Sequence, residues 1–121
     1  MNYSELTLRY FESAAGAGVL TGRDVHRGAA GSRTEGTWVQ FDVQISQGTI
    51  QAARFLAFAC PHTIAVSAWV TEHAAGPILR AALPESVPDL SERFAVPVEK
   101  RGRLLIIEDA WIAAVSGGLP R

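Results

Sequence analysis

The chain has one cysteine, Cys60, among 121 residues. A single thiol excludes an intramolecular disulfide and any all-cysteine metal site built by one chain. It fits a reducing, cytoplasmic setting. Excess charge of one sign is missing too, with 11 Lys and Arg against 12 Asp and Glu. That balance leaves no basic footprint for a nucleic acid and no polybasic patch for a membrane. No apolar stretch free of charges and breakers is long enough for a transmembrane helix. Met1 to Glu5 has no basic region leading into an apolar run, so no signal peptide is expected. The Gly-Lys-Ser/Thr ending of a phosphate-binding loop is absent, as are internal repeats and low-complexity tracts.

The material that is present is globular: 48% of residues are hydrophobic and 19% charged, enough apolar mass for one core. The length predicts a single domain over residues 1–121. Tyr3 to Ala14 reads as a helix capped by Ser4 or Asn2 and stopped by Gly16 and Gly18. Gly22 to Gly36 is rich in Gly, Ser, Arg and Thr, lacks a period and reads as a mobile loop, after a short strand around Val19 to Thr21. From Trp38 to Ser46, Val39, Phe41, Val43 and Ile45 alternate with polar residues, the mark of a half-buried strand. Gln47-Gly48 then turns the chain into a returning strand, Ile50 to Ala59. That strand is apolar on both faces apart from Gln51 and Arg54, so helices are expected to cover its far end.

Pro61 suits the first position of a helix, which Gly76-Pro77 ends. A short helix is expected over 78–82. Asp89 to Glu92 has capping-box spacing before a helical turn through Phe94. Arg103 to Val115 is a last amphipathic helix, closed by Gly117-Gly118. Strands followed by a run of helices predict an α+β fold, a small antiparallel sheet of about three strands with helices packed on one face.

Cys60 draws the most chemical interest. As the residue before a helix that opens with proline, it sits where the helix dipole stabilises a thiolate. A buried free cysteine acting as a small apolar side chain is the competing reading. His62, two residues on, is placed to join Cys60 at a metal or to act as its base, or else is an ordinary surface histidine. His26 and His73 have no ligand spacing to one another or to Cys60. Arg23, Arg27 and Arg33 read as solvated loop charges. Glu108 and Asp109, adjacent on a helix, point about 100° apart and do not form a convergent carboxylate pair. No third orienting group or oxyanion loop accompanies Cys60 and His62, so an enzyme is not expected.

Three blocks carry a resemblance: Gly48 to Cys60, Pro61 to Glu72 followed by Gly76, and Glu108-Asp109-Ala110 followed by Ile112 to Val115. Together with Tyr3-Ser4-Glu5 and Tyr10-Phe11-Glu12, they resemble the IscU/NifU N-terminal family of iron–sulfur cluster scaffolds. The resemblance implies that family's α+β fold over nearly the whole chain. It also implies a role in cluster assembly, with a cysteine desulfurase or a chaperone as partner. Members hold the cluster with three cysteines, an aspartate and a histidine, because thiolates are soft ligands for iron and zinc.

Aligned on those blocks, Cys60 is the middle cysteine. Glu35 falls at the first cysteine and Thr37 at the aspartate. Arg103 falls at the last cysteine, and Gly102 at the histidine before it. Pro97 and Lys100 match the chaperone-recognition stretch, here Val96 to Lys100 with one proline lost. The resemblance therefore implies a reduced ligand set, Cys60 with Glu35 and His62, for an iron–sulfur cluster, iron or zinc. Arg103 disfavours a metal dication and favours a thiolate, so a site without metal stands beside it. Two roles follow: an atypical or accessory scaffold using Cys60, or an interaction module that binds assembly partners and holds no cluster.

Overall fold

A computed structural model describes residues 3–78 and 81–119. The chain runs α1 (Glu5–Ser13), β1 (Val25–Ser32), β2 (Thr37–Ser46), β3 (Thr49–Phe58), α2 (Pro61–His73), β4 (Gly76–Pro77), α3 (Val87–Arg93) and α4 (Gly102–Ser116), with a 3-10 turn at Val98–Lys100. The sheet has four strands in the order β1-β2-β3-β4, with every neighbouring pair antiparallel. Helices α2 and α4 cover one face, and α1 packs on α2.

The covered face follows from strand alternation. Val39, Phe41, Val43 and Ile45 of β2 point under the helices beside Ala53 and Phe55 of β3, and all are buried. Trp111 of α4 meets Phe41 edge-on, with ring centroids 5.1 Å apart. Its indole N–H donates to the Ala82 carbonyl at 2.9 Å. The middle of α2 is buried on all sides, from Ala65 through Val70, so this helix has no polar stripe.

Several expectations are corrected. Most of the segment read as a mobile loop, Gly22 to Gly36, is the edge strand β1, paired with β2 from Val25↔Gln44 to Ser32↔Thr37. Its glycine has a packing reason: a methyl at Gly28 would overlap the α4 backbone at Ala110, Ala113 and Ala114. Only a side chain without Cβ lets α4 lie this close to the strand.

Val19 to Thr21 is not a strand. The chain leaves the β3 edge, where the Gly18 N–H donates to the Phe55 carbonyl at 2.8 Å. It then crosses the outer face of the sheet, and the Leu20 N–H donates to Asp42 Oδ2 at 2.9 Å. The fourth strand, two residues long, adds to the three expected.

The α3 cap is Ser86, whose hydroxyl accepts from the Asp89 N–H at 3.2 Å, so this helix starts earlier than the Asp89–Glu92 spacing implied. Ile78, Ala81 and Ala82 are not helical, and the rest of the helix expected over 78–82 lies outside the described residues. Ser4 caps α1 by accepting from the Thr7 N–H at 3.1 Å, and Asn2 lies outside the described residues. The outer side of β3 is not covered by helices, and Phe58 stays 53% exposed with Leu56 beside it.

Candidate functional site

Chain geometry sets the place of Cys60. Strand β3 ends at Phe58, opposite Trp38 at the start of β2, and Pro61 opens α2. Cys60 is the extended N-cap between them, half-buried. Proline suits the first helical position, because it has no N–H to leave unpaired there. The Thr63 hydroxyl lies 3.4 Å from Cys60 Sγ. The Thr63 backbone N–H also faces the sulfur, without closing a capping hydrogen bond.

Arg103, in the first turn of α4, adds a positive charge that acts on the same thiol. Burial pushes the Cys60 thiol up, but the Thr63 donors and the Arg103 guanidinium outweigh it, so the thiol ionises below its usual range. Residues 60 and 103, 43 positions apart in the chain (103 minus 60), lie at the start of α2 and in the first turn of α4.

His62 is 2% exposed, and its Nδ1 has no hydrogen-bond partner. The Tyr3 ring lies 4.7 Å from the imidazole, and Lys100 Nζ sits 5.9 Å from the Tyr3 ring centre. Burial lowers the His62 pKa, and the positive charges of Lys100 and Arg103 lower it further. The imidazole is therefore neutral and buried rather than an exposed surface group. Thr63 and Tyr3 were not among the site residues expected from the sequence. The signal for Thr63 was its position three residues after a helix cap, where a side chain returns to the cap.

The remaining expected residues have no hydrogen bond to Cys60. Glu35 is exposed in the turn joining β1 to β2, in which the Gly36 N–H donates to the Arg33 carbonyl at 3.1 Å. Thr37 is buried at the start of β2, and Gly102 opens α4, exposed. Pro97 and Lys100 are half-buried on either side of the exposed Val98 and Glu99.

Among the described residues, no three His, Cys, Asp or Glu side chains converge in a group able to hold a metal ion. The side chain within hydrogen-bonding reach of Cys60 Sγ is the Thr63 hydroxyl, and the charge acting on it is that of Arg103, neither of them a metal ligand. This donor set does not fit an iron–sulfur cluster, iron or zinc held by one chain alone. No described helix is long and apolar enough to cross a membrane.

Comparison with known proteins agrees with this geometry at the level of the fold. The family described as NifU-like N terminal domain matches residues 2–117. The iron-sulfur cluster assembly scaffold protein IscU of Escherichia coli is 29% identical over 119 residues, covering 96% of this chain and 93% of that protein. Its namesake from Azotobacter vinelandii is 30% identical over 118 residues, covering 95% and 92%. Iron sulfur cluster assembly protein 1 of Trachipleistophora hominis is 26% identical over 117 residues, covering 95% and 85%. The crystal structure of a NifU-like protein, N-terminal part, from Brucella abortus superposes with a TM-score of 0.73 at 18% identity, covering 95% and 92%. With a match that runs from residue 2 to residue 117, this chain belongs to the NifU-like N terminal domain family.

Proposed function

We propose that this chain is an IscU-like protein of iron–sulfur cluster assembly that works as an accessory, taking sulfur on Cys60 rather than building a cluster alone. The observation that carries this reading is the place of Cys60 at the start of α2, half-buried with the Thr63 hydroxyl 3.4 Å from Sγ. The family's relatives named as assembly scaffolds supply the setting.

The chemistry is transpersulfidation. A cysteine desulfurase presents a persulfide on its own cysteine. The Cys60 thiolate attacks the terminal sulfur of that persulfide. A new sulfur–sulfur bond forms on Cys60, the donor's sulfur–sulfur bond breaks, and the donor cysteine leaves as its thiolate. No net oxidation occurs and no further reactant is needed. The Arg103 guanidinium and the α2 N-terminus then stabilise the anionic terminal sulfur on Cys60. Cluster, iron and chaperone enter downstream, and the exposed Val98 between Pro97 and Lys100 is the segment offered to a chaperone.

The test is anaerobic incubation with a cysteine desulfurase and cysteine, followed by mass spectrometry of the intact chain. One added sulfur atom on Cys60, absent from Cys60→Ser, is the expected result. An unmodified wild-type chain that still binds the desulfurase in a pull-down would replace sulfur acceptance by the interaction-module reading.

A further inference from the structure

The outer face of the sheet is apolar where an antiparallel sheet open to water is ordinarily polar. Trp38 of β2 and Phe58 of β3 are register partners, and Gln40 lies opposite Leu56 in the next outward row. Their neighbours Val39, Phe41 and Phe55 are buried on the core side, so alternation turns Trp38, Leu56 and Phe58 outward. Phe58 is 53% exposed and Leu56 36%. The segment around Leu20 crosses this face at Asp42, beyond both rows, and leaves them open.

The charge around this patch is positive, although the chain as a whole carries -1. Asp42 is already matched by Arg27. Arg33 lies over the Trp38 ring, 4.9 Å from its centre. Arg54, on the same side of β3 as Leu56, donates to the adjacent Ala53 carbonyl. Both arginines are exposed, and among the described residues neither has a carboxylate partner, Glu35 in the nearby turn included.

We propose that this end of the outer face is a docking surface for an acidic protein segment. Its apolar side chains seat on Trp38, Leu56 and Phe58, and its carboxylates meet Arg33 and Arg54. A guanidinium resting on an aromatic ring keeps its N–H edge for a carboxylate. Phe58 and Arg54 are four residues apart on one strand (58 minus 54), about 13 Å, so the carboxylates bracket the apolar side chains. A second copy laid on the same face would set arginine against arginine. A nucleic-acid strand needs ring faces for its bases, and Arg33 occupies that of Trp38. The surface stands whether or not Cys60 takes sulfur.

Randomised peptides displayed on phage are panned against the intact chain and sequenced. The most enriched peptide is then labelled, and its affinity is measured by fluorescence anisotropy for wild type, Arg33→Glu, Arg54→Glu, Phe58→Ser, Cys60→Ser and Leu105→Ser. Leu105 is an exposed apolar residue of α4, 52% exposed, and serves as the control. Enriched sequences are expected to combine Asp or Glu with aromatic or aliphatic residues. Arg33→Glu, Arg54→Glu and Phe58→Ser are each expected to weaken binding by about tenfold or more. Leu105→Ser and Cys60→Ser are expected to bind as wild type does. Added salt should weaken the wild-type complex. Circular dichroism checks that each variant is folded, and Leu56→Ser replaces Phe58→Ser if that chain is not.

No enrichment over a bare surface, or enriched peptides without acidic residues, would overturn the inference. So would folded arginine and phenylalanine variants that bind as tightly as wild type, or a loss on Leu105→Ser or Cys60→Ser as large as theirs. A labelled single-stranded oligothymidine that binds wild type and is released by Phe58→Ser would make the face a nucleic-acid surface instead. A wild-type dimer in sedimentation that Phe58→Ser turns into a monomer would make it a contact between copies of this chain.

Discussion

Arg27 on β1 and Asp42 on β2 are register partners, and their side chains meet on the outer face of the sheet in a two-pronged pair, Nε to Oδ1 at 2.7 Å and Nη2 to Oδ2 at 2.9 Å. Asp42 also accepts the Leu20 N–H, so one carboxylate fastens the edge strand and the crossing segment to the middle of the sheet. The residue is 1% exposed, which makes the loss of either partner costly.

The Arg27 hydrogen bond lowers the Asp42 pKa against the opposing effect of burial, and the Leu20 N–H lowers it further. A carboxylate whose folded pKa lies below its unfolded value stabilises the fold above the unfolded pKa, about 3.9, and loses that contribution as pH falls through the folded value. Asp42→Ala is therefore expected to cost about 1.5 to 3 kcal/mol at pH 7, the range for hydrogen bonds to a charged group. The difference from wild type should shrink in acid. Urea midpoints at pH 7 and pH 3 check this, and an equal difference at both would show that the carboxylate is not acting through its charge.

Gly28 gives a purely steric prediction. Its Cβ would land on the backbone of α4, which cannot swing away as a side chain can. Gly28→Ala is expected to destabilise the chain by about 3 kcal/mol or more, at the upper end of overpacking effects. Gly36→Ala serves as contrast, since nothing stands near a Cβ there and only its left-handed backbone opposes the change. A Gly28→Ala midpoint no lower than that of Gly36→Ala would mean that α4 can shift at little cost.

The same glycine explains what the sequence could and could not tell. The β2–β3 hairpin was legible because its core side alternates cleanly, and the helix after Cys60 because proline marks its first position. Strand β1 was not, since a strand packed tightly under a helix needs Gly28 and small alanines, and those residues read as a loop. The outer side of β3 misled in the opposite way: Leu56 and Phe58 looked fit for burial, yet sheet alternation turns them outward where no helix passes. At the site, the family resemblance aligned Cys60 and Arg103 with two of the family's cysteines. It could not reveal that His62 is buried without a partner, because Tyr3 and Lys100 enclose it from distant parts of the chain.

Cys60 should react as a thiolate at lower pH than an ordinary cysteine. Burial works against ionisation, and the Thr63 and Arg103 donors more than offset it. Arg103→Gln is expected to move the alkylation profile to higher pH and to slow the reaction at pH 7 several-fold, since each unit of pKa removes about tenfold of the thiolate in this range. Thr63→Val should move it the same way by removing the hydroxyl while keeping the backbone N–H. Iodoacetamide rates between pH 5 and pH 10 give the answer. Superimposable profiles for all three proteins would mean that neither side chain governs the thiol.

His62 bears on stability rather than reactivity. Burial first, and then Lys100 and Arg103, hold its folded pKa below the unfolded value of about 6.5. As pH drops below about 6.5, the unfolded chain takes up a proton that the folded chain refuses. Stability then falls until the folded pKa is reached, where this contribution levels off. His62→Phe keeps a ring against Tyr3 and removes both the titration and the unpartnered Nδ1. Replacing an unsatisfied buried polar atom by an apolar one of similar shape is near neutral or stabilising. The variant is therefore expected to equal or exceed wild type at pH 8 and to gain further on it at pH 5. Urea unfolding at the two pH values measures both terms, and since Asp42 is common to both chains its acid response cancels in the difference. A gap that stays constant between pH 8 and pH 5 would mean that His62 takes up its proton in the folded chain as readily as in the unfolded one.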